Sequence, residues 1–140
     1  MTLNIDFDGT CTTQSFPKIG TDIGAQKVLK ELVANGHDLI LFTIRWDCPG
    51  NPDNNYLTQA VNWFKDNDIA LYGIQCDPEQ GSWTNSPKSC AQFMIDDSAI
   101  GCPLKKDGLS LKPYADWEKI REILIEKGLI KLPFPHNAEK

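Results

Sequence analysis

The feature that most constrains the fold is an apolar run of four residues, Leu39-Ile40-Leu41-Phe42. No polar residue interrupts the run, so a strand formed by it would have no face suited to water. Strands of this kind are typical of parallel sheets, which are covered on both faces. The run therefore predicts a buried strand over residues 38–43 and favours an α/β fold.

Strand-like and helix-like segments alternate along the rest of the chain. Further strands are predicted at 3–7, 69–74 and 92–95, with a short one near 109–111. Helices with a one-sided apolar stripe are predicted at 22–35, 55–67 and 116–127. Such alternation predicts one parallel sheet with helices on both faces. We expect a single domain over residues 1–128, followed by a C-terminal tail, 129–140, that is either frayed or a docking arm.

Charge and cysteine content exclude several classes of protein. The chain of 140 residues has a formal net charge of −5 and no basic run, which argues against a protein that tracks the nucleic-acid backbone. Its five cysteines are odd in number and form no CxxC pair, which argues against a disulfide framework and a zinc site. We expect a reducing, cytoplasmic setting. The sequence predicts neither a signal peptide nor a membrane helix.

Two aspartates follow the first predicted strand. Asp6 and Asp8 stand two residues apart, and such residues point to the same side of an extended chain. Two carboxylates so placed repel each other unless a cation lies between them or one stays protonated. Gly9 then allows a sharp turn, and Thr10 adds a hydroxyl at the same place. On its own, this stretch also fits a strand that ends in an ordinary polar turn.

Further polar residues lie near the ends of the other predicted strands. Thr43 ends the second strand, Asp96 and Asp97 end the fourth, and Lys88 precedes the fourth by a few residues. Taken singly, each fits a strand end, a turn or a solvated surface. The carboxyl ends of parallel strands share one edge of the sheet, where ligands of α/β proteins bind. We therefore expect four carboxylates, one hydroxyl and one ammonium group to converge on one crevice.

This set of groups is suited to phosphoryl transfer. Clustered carboxylates bind hard cations, and Mg²⁺ takes one or two carboxylates together with water and phosphate oxygens. One carboxylate can form an aspartyl-phosphate, and a second can protonate the leaving oxygen. Lys88 and Thr43 can hold the charge that spreads over the transferred group. The predicted cofactor is therefore Mg²⁺.

The order of these residues resembles the four motifs of the haloacid dehalogenase superfamily. The matching stretches are Asp6-Phe7-Asp8-Gly9-Thr10, Thr43 after an apolar strand, Lys88, and Ile95-Asp96-Asp97. The resemblance spans about residues 3–101. It implies a Rossmann-like three-layer sandwich and membership of a family that consists mostly of Mg²⁺-dependent phosphatases.

The resemblance also implies a role for each matching residue. Asp6 would be the nucleophile and Asp8 the general acid and base, while Thr43 and Lys88 would bind the phosphoryl group. The acid at Asp8 is absent from the dehalogenases of the family, so its presence indicates a phosphatase or phosphotransferase.

The metal ligands implied by the resemblance come from both ends of the motif set. They are Asp6, the backbone carbonyl of Asp8 and one acid of the Asp96-Asp97 pair. We expect Asp97 to be the direct ligand and Asp96 to lie behind it.

The loops between the motifs predict an open site without a cap domain. A domain-like cap needs roughly 50 residues, and the gaps that the predicted helices leave are much shorter. The chain also resembles small proteins of this superfamily from bacteria and phages, which share the pattern Thr43-Ile44-Arg45. We expect the substrate rim to include Arg45 and Trp46, although packing of the loops fits Trp46 and Trp83 slightly better than contact with substrate. The predicted substrate-binding residues are Gly9, Thr10, Arg45 and Trp46.

The predicted function is Mg²⁺-dependent hydrolysis of a small phosphomonoester through an aspartyl-phosphate on Asp6. The substrate could be a nucleotide, a sugar phosphate or a nucleic-acid end, with no membrane involved. Two alternatives stay open, a phosphotransferase or mutase with the same site and a non-catalytic module that binds Mg²⁺ or a phosphorylated ligand. Formation of a homo-oligomer also stays open.

Overall fold

The computed structural model describes residues 1–133 and contains three helices among short strands. The strands are β1 (Thr2–Ile5), β2 (Asp38–Leu41), β3 (Gly73–Ile74), β4 (Phe93–Ile95), β5 (Leu104–Lys105) and β6 (Tyr114–Ala115). The helices are α1 (Ala25–Ala34), α2 (Tyr56–Asp66) and α3 (Trp117–Glu126), and a 3₁₀ turn covers Gln80–Ser82. None of the helices in this part of the chain has the length and hydrophobicity that crossing a bilayer requires.

Four strands form one parallel sheet in the order β3-β2-β1-β4. Leu3 of β1 lies opposite Leu39 on one side and Phe93 on the other. The apolar strand β2 is interior and pairs with β1 and β3, so the α/β fold predicted from its composition is confirmed.

The main core lies between this sheet and the apolar stripes of the helices. Leu3 and Ile5 alternate toward it from β1, as do Leu39 and Leu41 from β2. The helix stripes supply the other buried side chains, among them Val28, Leu29, Leu32, Trp63, Phe64, Trp117, Ile120 and Leu124. Burial of each large apolar side chain stabilises the fold by about 1.5–3 kcal/mol, so this packing fixes how the strand ends are arranged.

Several predicted strands differ from the structure. The first and second end at Ile5 and Leu41 rather than at residues 7 and 43. The third covers only Gly73–Ile74 rather than residues 69–74, because only these two residues pair with β2. No strand covers residues 109–111, and the hairpin of β5 and β6 lies on either side of them. Leu109 and Leu111 are exposed, since this segment forms the hairpin connection.

The start of α1 and the predicted C-terminal tail also differ from expectation. The helix α1 begins after Gly24 rather than at residue 22 and has no side-chain cap, while Asp22 accepts a hydrogen bond from the Gly24 amide. The predicted tail begins inside the core, because Leu129 and Ile130 after α3 are both buried. Residues 134–140 of that tail lie outside the described residues.

Candidate functional site

The carboxyl ends of β1 and β4 bring three aspartates together. The strands pair up to Ile5 and Ile95, and the Asp6 amide donates to the Ile95 carbonyl at 3.0 Å. One carboxylate oxygen each from Asp6, Asp96 and Asp97 lies within 4.8 Å of the other two. The predicted convergence of these three acids is confirmed, and we call them the acid cluster.

Thr10 joins two members of the acid cluster. Its hydroxyl lies 2.8 Å from Asp6 Oδ2 and 3.2 Å from Asp97 Oδ1, and it accepts from the Asp97 amide at 2.9 Å. The Trp117 indole donates to the Thr10 carbonyl at 2.6 Å, which anchors the turn on α3. The Thr10 hydroxyl lies beside Asp6, as expected, but Thr10 is fully buried and its hydroxyl is engaged between the carboxylates.

Gly9 lets Asp97 approach the turn closely. Its φ is +81°, and a Cβ at this position would lie 2.3 Å from Asp97 Oδ2. The amides of Gly9 and Thr10 donate to Thr12 and Phe7 within the turn, so these residues offer a substrate no free backbone donor. Their predicted contacts with substrate therefore have no support from the geometry, whereas their part in shaping the acid cluster has.

Gln14 is a member of the site that the sequence analysis missed. Its Nε2 donates to Asp97 Oδ2 at 3.1 Å from the exposed loop that follows the turn. No sequence pattern indicates that a glutamine in a polar loop contacts a residue so far away in the chain.

The acid cluster contains more negative charge than its surroundings offset. Burial raises the pKa of Asp6, and the carboxyl of Asp97 and the charge of Asp96 raise it further, to about 8, although the Thr10 hydrogen bond acts in the opposite direction. Within residues 1–133 no Lys, Arg or His nitrogen lies within 4.0 Å of these three carboxylates. The cluster therefore offers negatively charged carboxylate oxygens that are half-buried. Hard cations such as Mg²⁺ bind to oxygen ligands of this kind.

Asp8 lies outside the acid cluster and has a cation of its own. Arg45 Nε donates to Asp8 Oδ2 and Arg45 Nη2 to Asp8 Oδ1, both at 2.8 Å. The pair is bidentate, because the planar guanidinium matches the geometry of the planar carboxylate. If Asp8 acts as the general acid and base, as expected, it does so while both of its carboxylate oxygens contact Arg45.

Arg45 is buried, so its predicted position at the substrate rim is wrong. Only 1% of it is exposed, and its remaining N–H groups donate to the carbonyls of Pro17, Lys18 and Tyr56 at 2.9–3.2 Å. All five guanidinium N–H groups are thus engaged. The Phe16 ring also packs on the guanidinium at 5.1 Å. Arg45 ties Asp8, the 17–18 loop and the start of α2 together.

The two predicted phosphoryl-binding residues are placed differently from each other. Thr43 follows β2 and is half-buried, and its hydroxyl accepts from the Arg45 amide at 3.1 Å. Lys88 is exposed, and its ammonium group makes no ion pair within 4.0 Å in the described part of the chain. The predicted meeting of an ammonium group with the carboxylates is therefore not seen.

The aromatic residues of the two flanking loops point to solvent. Trp46 is 61% exposed and Trp83 is 70% exposed, so neither packs its loop down. Trp46 is therefore accessible to solvent, while its place at the substrate rim and its contact with substrate stay predictions.

Comparison with known proteins gives one informative match. A solved structure described as the conserved protein coded by a locus of Bacteroides thetaiotaomicron is 31% identical to this chain, with a TM-score of 0.71. The match covers 91% of each chain. No family model matches the sequence, and no curated protein matches it.

Proposed function

We propose that this chain catalyses Mg²⁺-dependent hydrolysis of phosphomonoesters. It belongs to the same protein family as the conserved Bacteroides thetaiotaomicron protein. The observation that carries the proposal is the acid cluster, in which Asp6 lies beside Asp96 and Asp97 and no positive side chain of residues 1–133 lies within 4.0 Å. We assign the chain to the haloacid dehalogenase superfamily on the order of its motifs.

The proposal includes a Rossmann-like three-layer arrangement without a cap domain. In support, the site lies at the carboxyl ends of parallel strands in the order β3-β2-β1-β4, where α/β proteins bind ligands. The span from Asp8 to Thr43 contains α1 and β2 and leaves only short connections. An open site of this kind would admit a range of small phosphorylated substrates.

The acid cluster fits Mg²⁺ on the chemistry of its donors. Asp6, Asp96 and Asp97 would hold the ion, since each offers an oxygen and hard cations prefer carboxylates. When bound, the ion would offset the negative charge that the carboxylates and the phosphate share.

The side chains of the site support attack by Asp6. Thr10 holds one Asp6 oxygen at 2.8 Å and thereby restricts the orientation of the carboxylate. A carboxylate oxygen of Asp6 forms a bond to phosphorus while the bond to the alcohol oxygen of the substrate breaks. Water then attacks the same phosphorus, which releases inorganic phosphate and restores Asp6.

Asp8 is the group placed to move the proton in this scheme. It would give a proton to the leaving alcohol oxygen and take one from the attacking water. Because both of its oxygens contact Arg45, the proton must occupy an oxygen that also faces the guanidinium. Arg45 thus fixes the direction in which Asp8 points.

Binding of the phosphoryl group is assigned to Thr43 and Lys88. Thr43 lies at the end of β2, beside β1, and so reaches the edge of the sheet that contains Asp6. Lys88 is exposed and makes no ion pair within residues 1–133, so its ammonium group is available to a phosphoryl group.

One observation favours a second candidate, a non-catalytic module that binds a divalent cation together with a phosphorylated ligand. The hydrogen bonds from Arg45 engage both oxygens of Asp8, the acid that the first candidate needs for proton transfer. In a binding module this pair would be purely structural.

Turnover of a small aryl phosphate separates the two candidates. We expect wild-type protein to release phosphate with Mg²⁺ and to lose this activity in excess EDTA. Asp53→Asn is the control, because Asp53 is an exposed loop residue that is not a member of the acid cluster. Absence of turnover, combined with saturable Mg²⁺ binding measured by calorimetry, would instead identify a binding module.

A further inference from the structure

One glutamine side chain takes the place of a strand partner beyond the end of β2. Gln75 follows β3 with φ +66°, and its Oε1 accepts from the Thr43 amide at 2.9 Å. Its Nε2 donates to the Thr43 carbonyl at 2.7 Å and to the Arg45 carbonyl at 3.3 Å. The side-chain amide thus pairs with both backbone groups of Thr43, as a neighbouring strand would.

A second glutamine, five residues later, does the same for the segment that contains Lys88. Gln80 is buried, and its Oε1 accepts from the Cys90 amide at 2.8 Å and the Asp77 amide at 3.1 Å. Its Nε2 donates to the Lys88 carbonyl at 3.1 Å and the Ser86 carbonyl at 3.4 Å.

Both glutamines meet a need that arises because the sheet is short. The strand β2 ends at Leu41 and β4 begins at Phe93, so Thr43 and Lys88 lie outside the ladder of strand hydrogen bonds. Backbone groups in partly buried segments need partners, and a glutamine amide supplies a donor and an acceptor together. Leucine would fill a similar volume and supply neither.

We propose that residues 75–80 form a positioning segment for the phosphoryl-binding groups, with Gln75 setting the backbone of Thr43 and Gln80 that of Lys88. The inference rests on the proposed function, because it requires Thr43 and Lys88 to contact the transferred phosphoryl group. Neither glutamine is assigned a contact with substrate.

A third glutamine provides a matched control. Gln92 also accepts from a backbone amide, that of Thr2 at 2.7 Å, but this contact lies at the opposite end of β1 from Asp6. A purely structural role of side-chain amides would make Gln92→Leu resemble Gln75→Leu and Gln80→Leu in every assay.

The first experiment compares the three leucine variants on a small aryl phosphate with Mg²⁺. Loss of alignment at the reacting group is expected to lower kcat for Gln75→Leu and Gln80→Leu by about 10- to 100-fold, with a much smaller change in KM. Gln92→Leu should keep wild-type kcat.

Amide hydrogen exchange shows whether each variant breaks its intended contact. The Thr43 amide should exchange faster in Gln75→Leu, and the Cys90 amide should do so in Gln80→Leu, at a temperature where both variants remain folded.

A double-mutant cycle shows whether Gln80 acts through Lys88. In a Lys88→Ala background the loss caused by Gln80→Leu should shrink to less than about threefold, since the group that Gln80 positions is gone. An unchanged loss in that background would overturn the proposed role of Gln80.

The outcomes distinguish failure of this inference from failure of the proposed function. Wild-type protein that does not turn over phosphate overturns both. A second outcome is that the wild-type protein is active and that Gln75→Leu and Gln80→Leu keep its kcat, although hydrogen exchange shows that their contacts are lost. This outcome overturns the positioning role alone. Equal losses in all three leucine variants would also overturn it.

Discussion

Asp6 and Asp8 lie two residues apart and have opposite electrostatic surroundings. Asp6 lies among carboxylates, which together with burial raise its pKa to about 8. Asp8 receives two hydrogen bonds of 2.8 Å from a buried guanidinium. One aspartate lacks a partner of opposite charge within residues 1–133, and the other has one built into the fold.

The difference shows that spacing in a strand does not determine how two acids are used. Asp6 gains its neighbours from β4, which follows almost 90 residues later in the chain, as the contact of Thr10 with Asp97 illustrates. Asp8 gains its neighbour from the turn after β2. An external cation would therefore act on Asp6, while Asp8 belongs to the permanent framework.

The largest expected effect is that of Asp6→Asn on turnover. Removal of the nucleophile should lower kcat by at least about 10⁴-fold. The same variant should be no less stable than wild type in EDTA at pH 8, because it removes one charge from a group of like charges. Phosphate release and thermal unfolding test the two parts, with Asp53→Asn as the control. Residual turnover near the wild-type rate would place the nucleophile elsewhere.

The next largest effect is expected for Arg45→Met on stability. Removal of one partner of a buried ion pair leaves the other uncompensated, which costs about 3–5 kcal/mol. Urea unfolding measures the loss, and adding Asp8→Leu should recover part of it. Recovery should stay incomplete, since Arg45 also donates to three backbone carbonyls. A loss below about 1 kcal/mol would show that the pair contributes no more than an exposed one.

An effect of pH on stability is expected when no divalent cation is present. The pKa of Asp6 is about 8 in the folded chain against an ordinary 3.8, so the folded chain binds more protons between these values. Stability should therefore fall as pH rises from about 4 to 8. A loss of 1 kcal/mol lowers Tm by about 3–5 °C in a domain of this size.

Two controls assign that pH effect to Asp6. Mg²⁺ should raise Tm more at pH 8 than at pH 5.5, because only the ionised carboxylates bind it well. Asp6→Asn should flatten the fall of Tm in EDTA. A profile equally steep in this variant would assign the pH dependence to other groups.

The smallest effect is expected for the other bidentate pair, Arg121 with Glu31. Its distances, 2.8 Å for both hydrogen bonds, equal those between Arg45 and Asp8. Its side chains, however, are 34% and 26% exposed, and solvent weakens such pairs. Glu31→Gln should change Tm by less than about 3 °C. A fall as large as that of Arg45→Met would mean that geometry matters more than burial.

The acid cluster could be predicted because it depends on the sheet alone. The uninterrupted apolar run of β2 indicates a parallel sheet, and parallel strands place their carboxyl ends along one edge. Asp6 and Asp97 needed no further information to be brought together.

The burial of Arg45 could not be predicted, because here the charged residue is buried and its apolar neighbour is exposed. Ile44 is 90% exposed, while Arg45 beside it is 1% exposed. Beyond the end of a strand no periodicity indicates which residue turns inward, and the reason that Arg45 does so is a carboxylate 37 positions away. Gln75 was missed for the same reason, since its partner Thr43 lies 32 positions away.

The close contact between Gly9 and Asp97 bears on how this site can change during evolution. A side chain at position 9 would have to displace the Asp97 carboxylate, whose oxygen lies 2.3 Å from where a Cβ would be, and would strain a backbone at φ +81°. The effect of a substitution at position 9 therefore depends on which residue occupies position 97. Replacement of this glycine would therefore move the Asp97 carboxylate and alter the acid cluster, so the two positions are expected to change together.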